Sequence, residues 1–333
     1  MRIFCFFLTM FSGERGSFIS LNIIFLKPFK YETVKFSLLK NKITFIWYYP
    51  ANIQNMRSAV NITPLIVSMN SIKNSTPKRP SFFLIHPIGG TVFCYFPLVR
   101  SLTAQYDFYG IRSSGFQKDE AIFCSVEEMA QSYISQIKEI QKEGPYSLGG
   151  WSFGGILAFE IASQFAKEGK KVKNLLIIDS FIPSIADMCV VNESKFIFLF
   201  FKEMLISSLE DERDKFLDHP ENFTELEHAI KIAIKYGLLP QQINLHEIRN
   251  LYETFKNNFN AYIKYRPKNH YEETINFFWA SDNKSLLQEA LKWQPYVNKE
   301  KIKNTHLSGD HNSIFQKPNL LENTKKIDSN IVV

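Results

Sequence analysis

The chain is expected to be an α/β protein, with a mostly parallel central sheet, helices on both faces and a helical insertion late in the sequence. Three observations predict this. Short apolar runs recur from about residue 81 onward, amphipathic helical stretches alternate with them, and roughly 90 residues between Pro183 and Glu273 carry helical periodicity without a strand. Parallel neighbours need crossover connections, and helices at this spacing supply them.

The elements follow in order. SFFLIH, from Ser81 to His86, comes after Pro80 and predicts a short strand buried on both faces. HPIGG then turns the chain, and Val92 to Leu102 predicts a helix. YDFYGI, 106 to 111, is a second buried strand. Ser125 and Glu128 form a capping box that opens a helix with Val126, Met129, Ala130, Tyr133, Ile137 and Ile140 on one face. Gly144 and Pro145 stop it. PYSLGGW is the third strand, FGGILAFEIASQFAKEG an amphipathic helix ended by Gly169, and VKNLLIID, 172 to 179, the fourth strand. TINFFWA, 274 to 280, and the run from Lys303 to Leu307 predict two more.

Within the insertion, LEHAIKIAIKYGLLP and LHEIRNLYETFKNNFNAYIKYRP break the alternation on the side where strands end. A lid over about 184–273 is expected there, the plainer alternative being a helical packing layer. Phe196, Phe198 and Phe200 are expected to pack together rather than line an acyl channel.

Composition bounds the function. The chain has 333 residues, 45% of them apolar, enough for a substantial core. A net charge of +6 arises from scattered lysines with no basic run, which argues against nucleic acid and fits attraction to an acidic protein partner. Cys5, Cys94, Cys124 and Cys189 form no CxxC pair, so a reducing, cytoplasmic setting with no metal is expected. The start, MRIFCFFLTMF followed by FISLNIIFL, loosely resembles a signal peptide but lacks a small-residue cleavage pattern. Neither run reaches the ~18 residues of a membrane span, so no membrane association is expected. Residues 1–61 are expected to form a poorly ordered extension, with Met56 an alternative start.

The chemistry sits in GPYSLGGWSFGG, Gly144 to Gly155. A phosphate loop would need Lys-Ser/Thr after its last glycine, and a dinucleotide turn would need G-x-G-x-x-G; neither is present. Gly150-Trp151-Ser152-Phe153-Gly154 is G-x-S-x-G between a strand and a helix, the context of a nucleophile turn. Ser152 would project from a sharp bend, with Gly150 and Gly154 leaving room, and the Phe153 amide would open the helix toward the carbonyl under attack. A serine hydroxyl needs a base. His311, in LSGDHNSIF after the last strand, is the candidate; His306 falls within that strand, His219, His228, His246 and His270 fall in the insertion, and His86 is expected to support the HPIGG turn. Two aspartates end strands, Asp179 in LLIIDS and Asp282 in WASDN, and either could orient the imidazole. Asp310 is too near His311 in the chain for that task.

HPIGG, YGI, EGPYSLGGWSFGGILAFEIASQFAKEGKKVKNLLIIDS and GDHNSIF, with Tyr265, Pro267 and INFFWASD, resemble the thioesterase domains that end nonribosomal peptide synthetases, polyketide synthases and animal fatty acid synthase. The likeness runs from about Ile62 to Ile327, and it implies an alpha/beta-hydrolase fold over 62–327 with a tail at 328–333. It implies Asp179 as the acid, with Asp282 as runner-up, His311 as the base, and the amides of Ile88 and Phe153 as oxyanion donors. It implies a serine thioesterase that releases an acyl, peptidyl or polyketide chain from phosphopantetheine on a carrier protein, by hydrolysis or cyclisation, with no cofactor of its own. Residues 1–61 show no Asp-Ser-Leu attachment motif, so the carrier or synthase module is expected to be met in trans. A carboxylesterase or lipase with the same residues, and a non-catalytic binding protein, are the alternatives.

Overall fold

The computed structural model describes strand backbone at 6–11, 18–23, 37–39 and 42–44, and residues 65–331 apart from 71–78, 104–105, 117–119, 184–191, 206–209 and 281–291. Met56, Cys5, Cys189 and most of the expected extension lie outside the described residues. Strands β1 Phe6–Phe11 and β2 Phe18–Ile23 form one antiparallel ribbon, and β3 Ser37–Leu39 and β4 Lys42–Thr44 a second. Then follow β5 Ile66–Ser68, β6 Ser81–Ile85, α1 Tyr95–Ser101, β7 Asp107–Ile111, α2 Val126–Ile140, β8 Tyr146–Trp151, α3 Phe153–Lys167 and β9 Val172–Ile178. The remainder comprises α4 Glu193–Met204, α5 Glu210–Leu217, α6 Leu226–Lys235, α7 Leu245–Lys264, β10 Ile275–Ala280, β11 Ile302–Leu307 and α8 Leu320–Asp328.

Two compact units result: Met1–Asn61 with Met204–Gln241, and Ile62–Glu203 with Gln242–Val333. In the first, α5 and α6 close around Phe216, whose ring meets Phe223 at 5.1 Å and Tyr236 at 6.2 Å. The Asn222 side chain donates to the Phe216 carbonyl at 2.9 Å.

The second unit holds a seven-stranded sheet in the order β11-β10-β9-β8-β6-β7-β5, parallel except for β5. After the edge strand β5 the chain enters the middle of the sheet at β6, steps outward to β7, which lies between β6 and β5, then returns to the other side of β6 with β8. At such a reversal the loops after neighbouring strands diverge and leave a crevice at the carboxyl ends. Strand side chains alternate between two cores. Phe83, Ile85, Leu148 and Ile177 face α2 and α3, while Phe82, Leu84, Trp151 and Ile178 face α1 and α8. Each such side chain, fully buried, contributes about 1.5–3 kcal/mol relative to exposure.

Local rules hold with two differences. Ser125 Oγ accepts the Glu128 amide at 3.3 Å, but the Glu128 carboxylate returns to the amide of Cys124 rather than that of Ser125. Helix α3, expected to be amphipathic, is buried almost all round. Beyond the sheet and α2 it meets Tyr271 and Trp293, whose rings lie 5.7 and 4.8 Å from that of Phe159. Its one buried acid, Glu160, accepts from Tyr265 Oη at 2.7 Å and from Gln164 at 2.8 Å. Between β9 and β10 the described residues hold helices α4 to α7 and no strand of the sheet, and α4 packs on α7: Phe196 meets Phe259 at 5.4 Å, and Phe200 meets Tyr252 at 5.4 Å and Phe255 at 5.8 Å. Phe198 instead lies under the Lys195 ammonium at 4.9 Å. No helix among the described residues is long and apolar enough to cross a membrane.

Candidate active site

Ser152 occupies the one residue between β8 and α3, at φ 57° and ψ −129°. Such a backbone conformation costs a non-glycine residue on the order of 1–3 kcal/mol and persists only where its surroundings enforce it. Here the Ser152 amide donates to Ile178 O at 2.9 Å and its carbonyl accepts from Gly155 at 3.1 Å. The flanking glycines are required by contact. A Cβ on Gly150 would lie 2.1 Å from the Gly154 carbonyl, and one on Gly154 would lie 2.2 Å from Ile85 O. The bend therefore presses the helix start onto the ends of both β8 and β6.

His311 Nε2 is 3.1 Å from Ser152 Oγ, and its Nδ1 is 2.5 Å from Asp179 Oδ2. A carboxylate can only accept, so Nδ1 carries the proton and Nε2 offers its lone pair to the serine hydroxyl. Asp179 follows β9 at φ 45° and is fully buried, whereas the His311 side chain is 37% exposed. The imidazole is open to the crevice, and the carboxylate is sealed from water. Its remaining oxygen, Oδ1, accepts the Ala280 amide at 2.8 Å, and the Asp179 amide donates to Phe278 O at 2.7 Å. These bonds hold the aspartate across the ends of β9 and β10. The runner-up, Asp282, lies outside the described residues.

The His311 loop is held from below by α8. Buried Asn323 accepts the Ser308 amide at 2.8 Å and donates to Ser308 O at 2.8 Å and Ile314 O at 3.0 Å. Asp310 accepts the amides of Asn312 and Ser313, so it shapes the turn and does not orient the ring. Burial pushes its carboxyl up, and the bonds from Ser313 and Asn312 outweigh this and hold it below the usual range. The indole of Trp151 lies 4.9 Å from the His311 ring and limits its rotation. The other histidines have different surroundings: His306 packs on Trp279 at 4.6 Å, His219 meets Glu221 at 2.8 Å and His270 meets Asn298 at 3.2 Å. His228 and His246 are exposed.

Phe153 is the first residue of α3, where an amide has no acceptor within the helix. Ile88 lies in the turn after β6, the strand beside β8. This turn is closed by Gly90 donating to Pro87 O at 2.9 Å and Ser113 donating to Gly90 O at 2.8 Å. His86 supports it, as expected: Nδ1 donates to Pro87 O at 2.7 Å, leaving Nε2 to accept from Tyr133 Oη at 2.8 Å. Burial lowers the His86 pKa to about 4, further helped by Arg112 and opposed by the bond to Pro87. It is a fixed neutral strut at ordinary pH.

Three positioning side chains carry no sequence signal of their own. Tyr95, buried in α1, donates to Ile85 O at 2.6 Å and accepts the Trp151 amide at 2.8 Å, bridging β6 and β8 where they part. Asn323 holds the His311 loop, and Asn258 of α7 donates to Ile88 O at 3.0 Å. Each acts through side-chain bonds to backbone groups, which no spacing rule exposes.

A strand–serine–helix bend at the reversal of a parallel sheet, with a histidine and a strand-end aspartate beside it, defines an alpha/beta-hydrolase. A model of the thioesterase domain matches residues 80–327, and the chain belongs to that family, one of hydrolases. The chain is 28% identical over 225 residues to a dimodular nonribosomal peptide synthase of Bacillus subtilis (strain 168), a match covering 66% of this chain and 9% of that protein. It is 38% identical over 117 residues to polyketide synthase PksR of the same organism, covering 35% and 4%. The chain thus spans a small fraction of these multidomain relatives. Among solved structures, a four-domain nonribosomal peptide synthetase bound to AMP and glycine aligns with a TM-score of 0.66 and 26% identity, covering 84% of this chain and 21% of that one. The Vlm2 thioesterase domain shares the fold at a TM-score of 0.60 and 20% identity, covering 79% and 96%.

Proposed function

We propose that this chain is a serine thioesterase that takes an acyl, peptidyl or polyketide chain from the phosphopantetheine arm of a carrier protein through an acyl-Ser152 intermediate. The observation that carries the reading is the continuous hydrogen-bonded series Ser152–His311–Asp179, within the part of the chain matched by the family. His311 Nε2 takes the Oγ proton as Ser152 attacks the thioester carbonyl. Asp179 keeps the Nδ1 proton in place and supports the imidazolium without taking a proton. Charge developing on the carbonyl oxygen is met by the amides of Phe153 and Ile88, each worth roughly 3 kcal/mol in the transition state.

Collapse of the tetrahedral adduct expels the pantetheine sulfur, which receives the proton from His311. A thiol with a pKa of about 8.5 needs less help to leave than an amine would. The second half repeats the steps with water as nucleophile and yields a free acid. An internal amine or hydroxyl of the acyl chain would yield a ring. Helix α7, in the same unit as the site, acts as part of the lid that selects between them by excluding water. The relatives' multidomain character supports a carrier or synthase module as partner.

Turnover of an acyl-pantetheine thioester and of the matching ethyl ester tests this. Ser152-dependent cleavage favouring the thioester is expected. A preference for the ester would turn the assignment toward a carboxylesterase.

A further inference from the structure

One stripe of α7 reaches both proposed oxyanion donors. Thr254, Asn258 and Tyr262 recur every four residues and so share a helix face. The Thr254 methyl packs at Gly90, 3.1 Å from where a Cβ would sit. Asn258, fully buried, donates Nδ2–H to Ile88 O at 3.0 Å. The Tyr262 ring meets the Phe153 ring edge-on at 5.9 Å, and its hydroxyl donates to Phe181 O at 3.0 Å. Asn258 is itself fixed, since its Oδ1 accepts from Ser113 Oγ at 3.2 Å, and the Ser113 amide donates to Gly90 O. A peptide unit is planar. Holding the Ile88 carbonyl therefore restricts the next amide, that of Gly89, directly, and through it the short turn that carries the Ile88 amide.

We propose that Asn258 is a positioning residue: α7 uses it, with Thr254 and Tyr262, to set the spacing between the Ile88 and Phe153 amides. The inference rests on the oxyanion reading given above. It also gives α7 a role distinct from admitting substrate, because its contact is to the backbone that stabilises the transition state. Misplacing one donor by about 1 Å costs on the order of ten- to hundred-fold in rate.

The neighbouring residue supplies the control. Asn257 makes the same kind of bond, from Nδ2 to Phe123 O at 2.6 Å, away from the turn. Asn258→Asp keeps the acceptor from Ser113 and abolishes donation to Ile88 O; Asn258→Ser is a second, smaller and uncharged variant. The full chain would be assayed on an acyl-pantetheine thioester for kcat and KM, and for affinity toward an alkyl boronic acid that forms a tetrahedral adduct on serine. Expected for either Asn258 variant is a loss of roughly ten- to hundred-fold in kcat and a parallel loss of boronate affinity, with KM within about three-fold. Asn257→Asp should stay within about three-fold on all three. Equal losses at 257 and 258, or a change confined to KM, would overturn the proposal. Ile88→Pro, which deletes the amide hydrogen, separates the two levels. If it keeps full kcat, the oxyanion reading itself fails; if it loses kcat while both Asn258 variants do not, only the role of Asn258 fails.

Discussion

The Asp179 carboxylate accepts the backbone N–H of Ala280 at 2.8 Å, while its other oxygen faces His311 at 2.5 Å. The two oxygens have different, non-exchangeable partners, so the acid is oriented by the sheet and not by the histidine loop. Replacing it with asparagine has a definite consequence. The amide oxygen must stay on Ala280 N–H, so the NH₂ group turns to His311 Nδ1. The ring then carries its proton on Nε2 and cannot act as base. Asp179→Asn should fold normally and lose roughly 10⁴-fold in kcat, read by single-turnover acylation beside a thermal melt. Retention of activity within ten-fold would place the acid elsewhere, Asp282 being the first to test.

Gly154→Ala tests the close approach at the bend. Its Cβ would meet Ile85 O at 2.2 Å and His86 O at 2.9 Å, both backbone groups that cannot move alone. Destabilisation beyond about 4 kcal/mol is expected, seen as loss of soluble protein or of a cooperative melt. A well-folded, active alanine variant would contradict the geometry of the turn.

Tyr95→Phe removes the hydroxyl that joins Ile85 O to Trp151 N–H and leaves both groups buried and unpaired. About 2–4 kcal/mol should be lost, as a shift of the urea midpoint at constant slope. Lys138→Ala, which breaks an exposed pair with Glu168, should cost less than about 1 kcal/mol. Equal effects would show that the Tyr95 bridge carries no special burden.

His86 makes stability depend on acid. Its pKa is about 4 in the folded chain and about 6.5 unfolded, so the unfolded chain binds more protons between these values. The contribution is complete above pH 6.5 and is lost as pH falls toward 4, up to about 3 kcal/mol. Denaturant titrations at pH 7 and 4.5 should show this loss, and His86→Gln should show a correspondingly flatter dependence. Identical slopes would mean that His86 takes up its proton in the fold as readily as in the unfolded chain.

Much of this was legible before the fold. Apolar runs bounded by turns marked β6 through β10, because strands buried on both faces leave continuous hydrophobic signatures; β11, IKNTHL, is mostly exposed and was marked by its place after β10. The placing of Ser152 at the bend and of His311 beside it was legible because the bend demands small residues around one serine and the histidine follows the last strand. Asp179 and Asp282 could not be separated by pattern alone: both follow strands, and the family likeness favoured Asp179. The three-residue edge strand β5 was too short to show a period. Tyr95, Asn258 and Asn323 escaped notice for another reason. Each binds backbone groups of another element, from 9 residues away for Asn323 and Ile314 to 170 for Asn258 and Ile88, and such pairings follow no local spacing rule.

The proposed reaction passes through an acyl group carried on Ser152. Intact-protein and peptide mass spectrometry after rapid mixing with acyl-phosphopantetheine carrier protein tests it most directly. An acyl adduct is expected on the peptide bearing Ser152, absent from Ser152→Ala and slowed by roughly 10⁴-fold in Asp179→Asn. Thioester cleavage by Ser152→Ala at the wild-type rate, or an adduct on another residue, would contradict it.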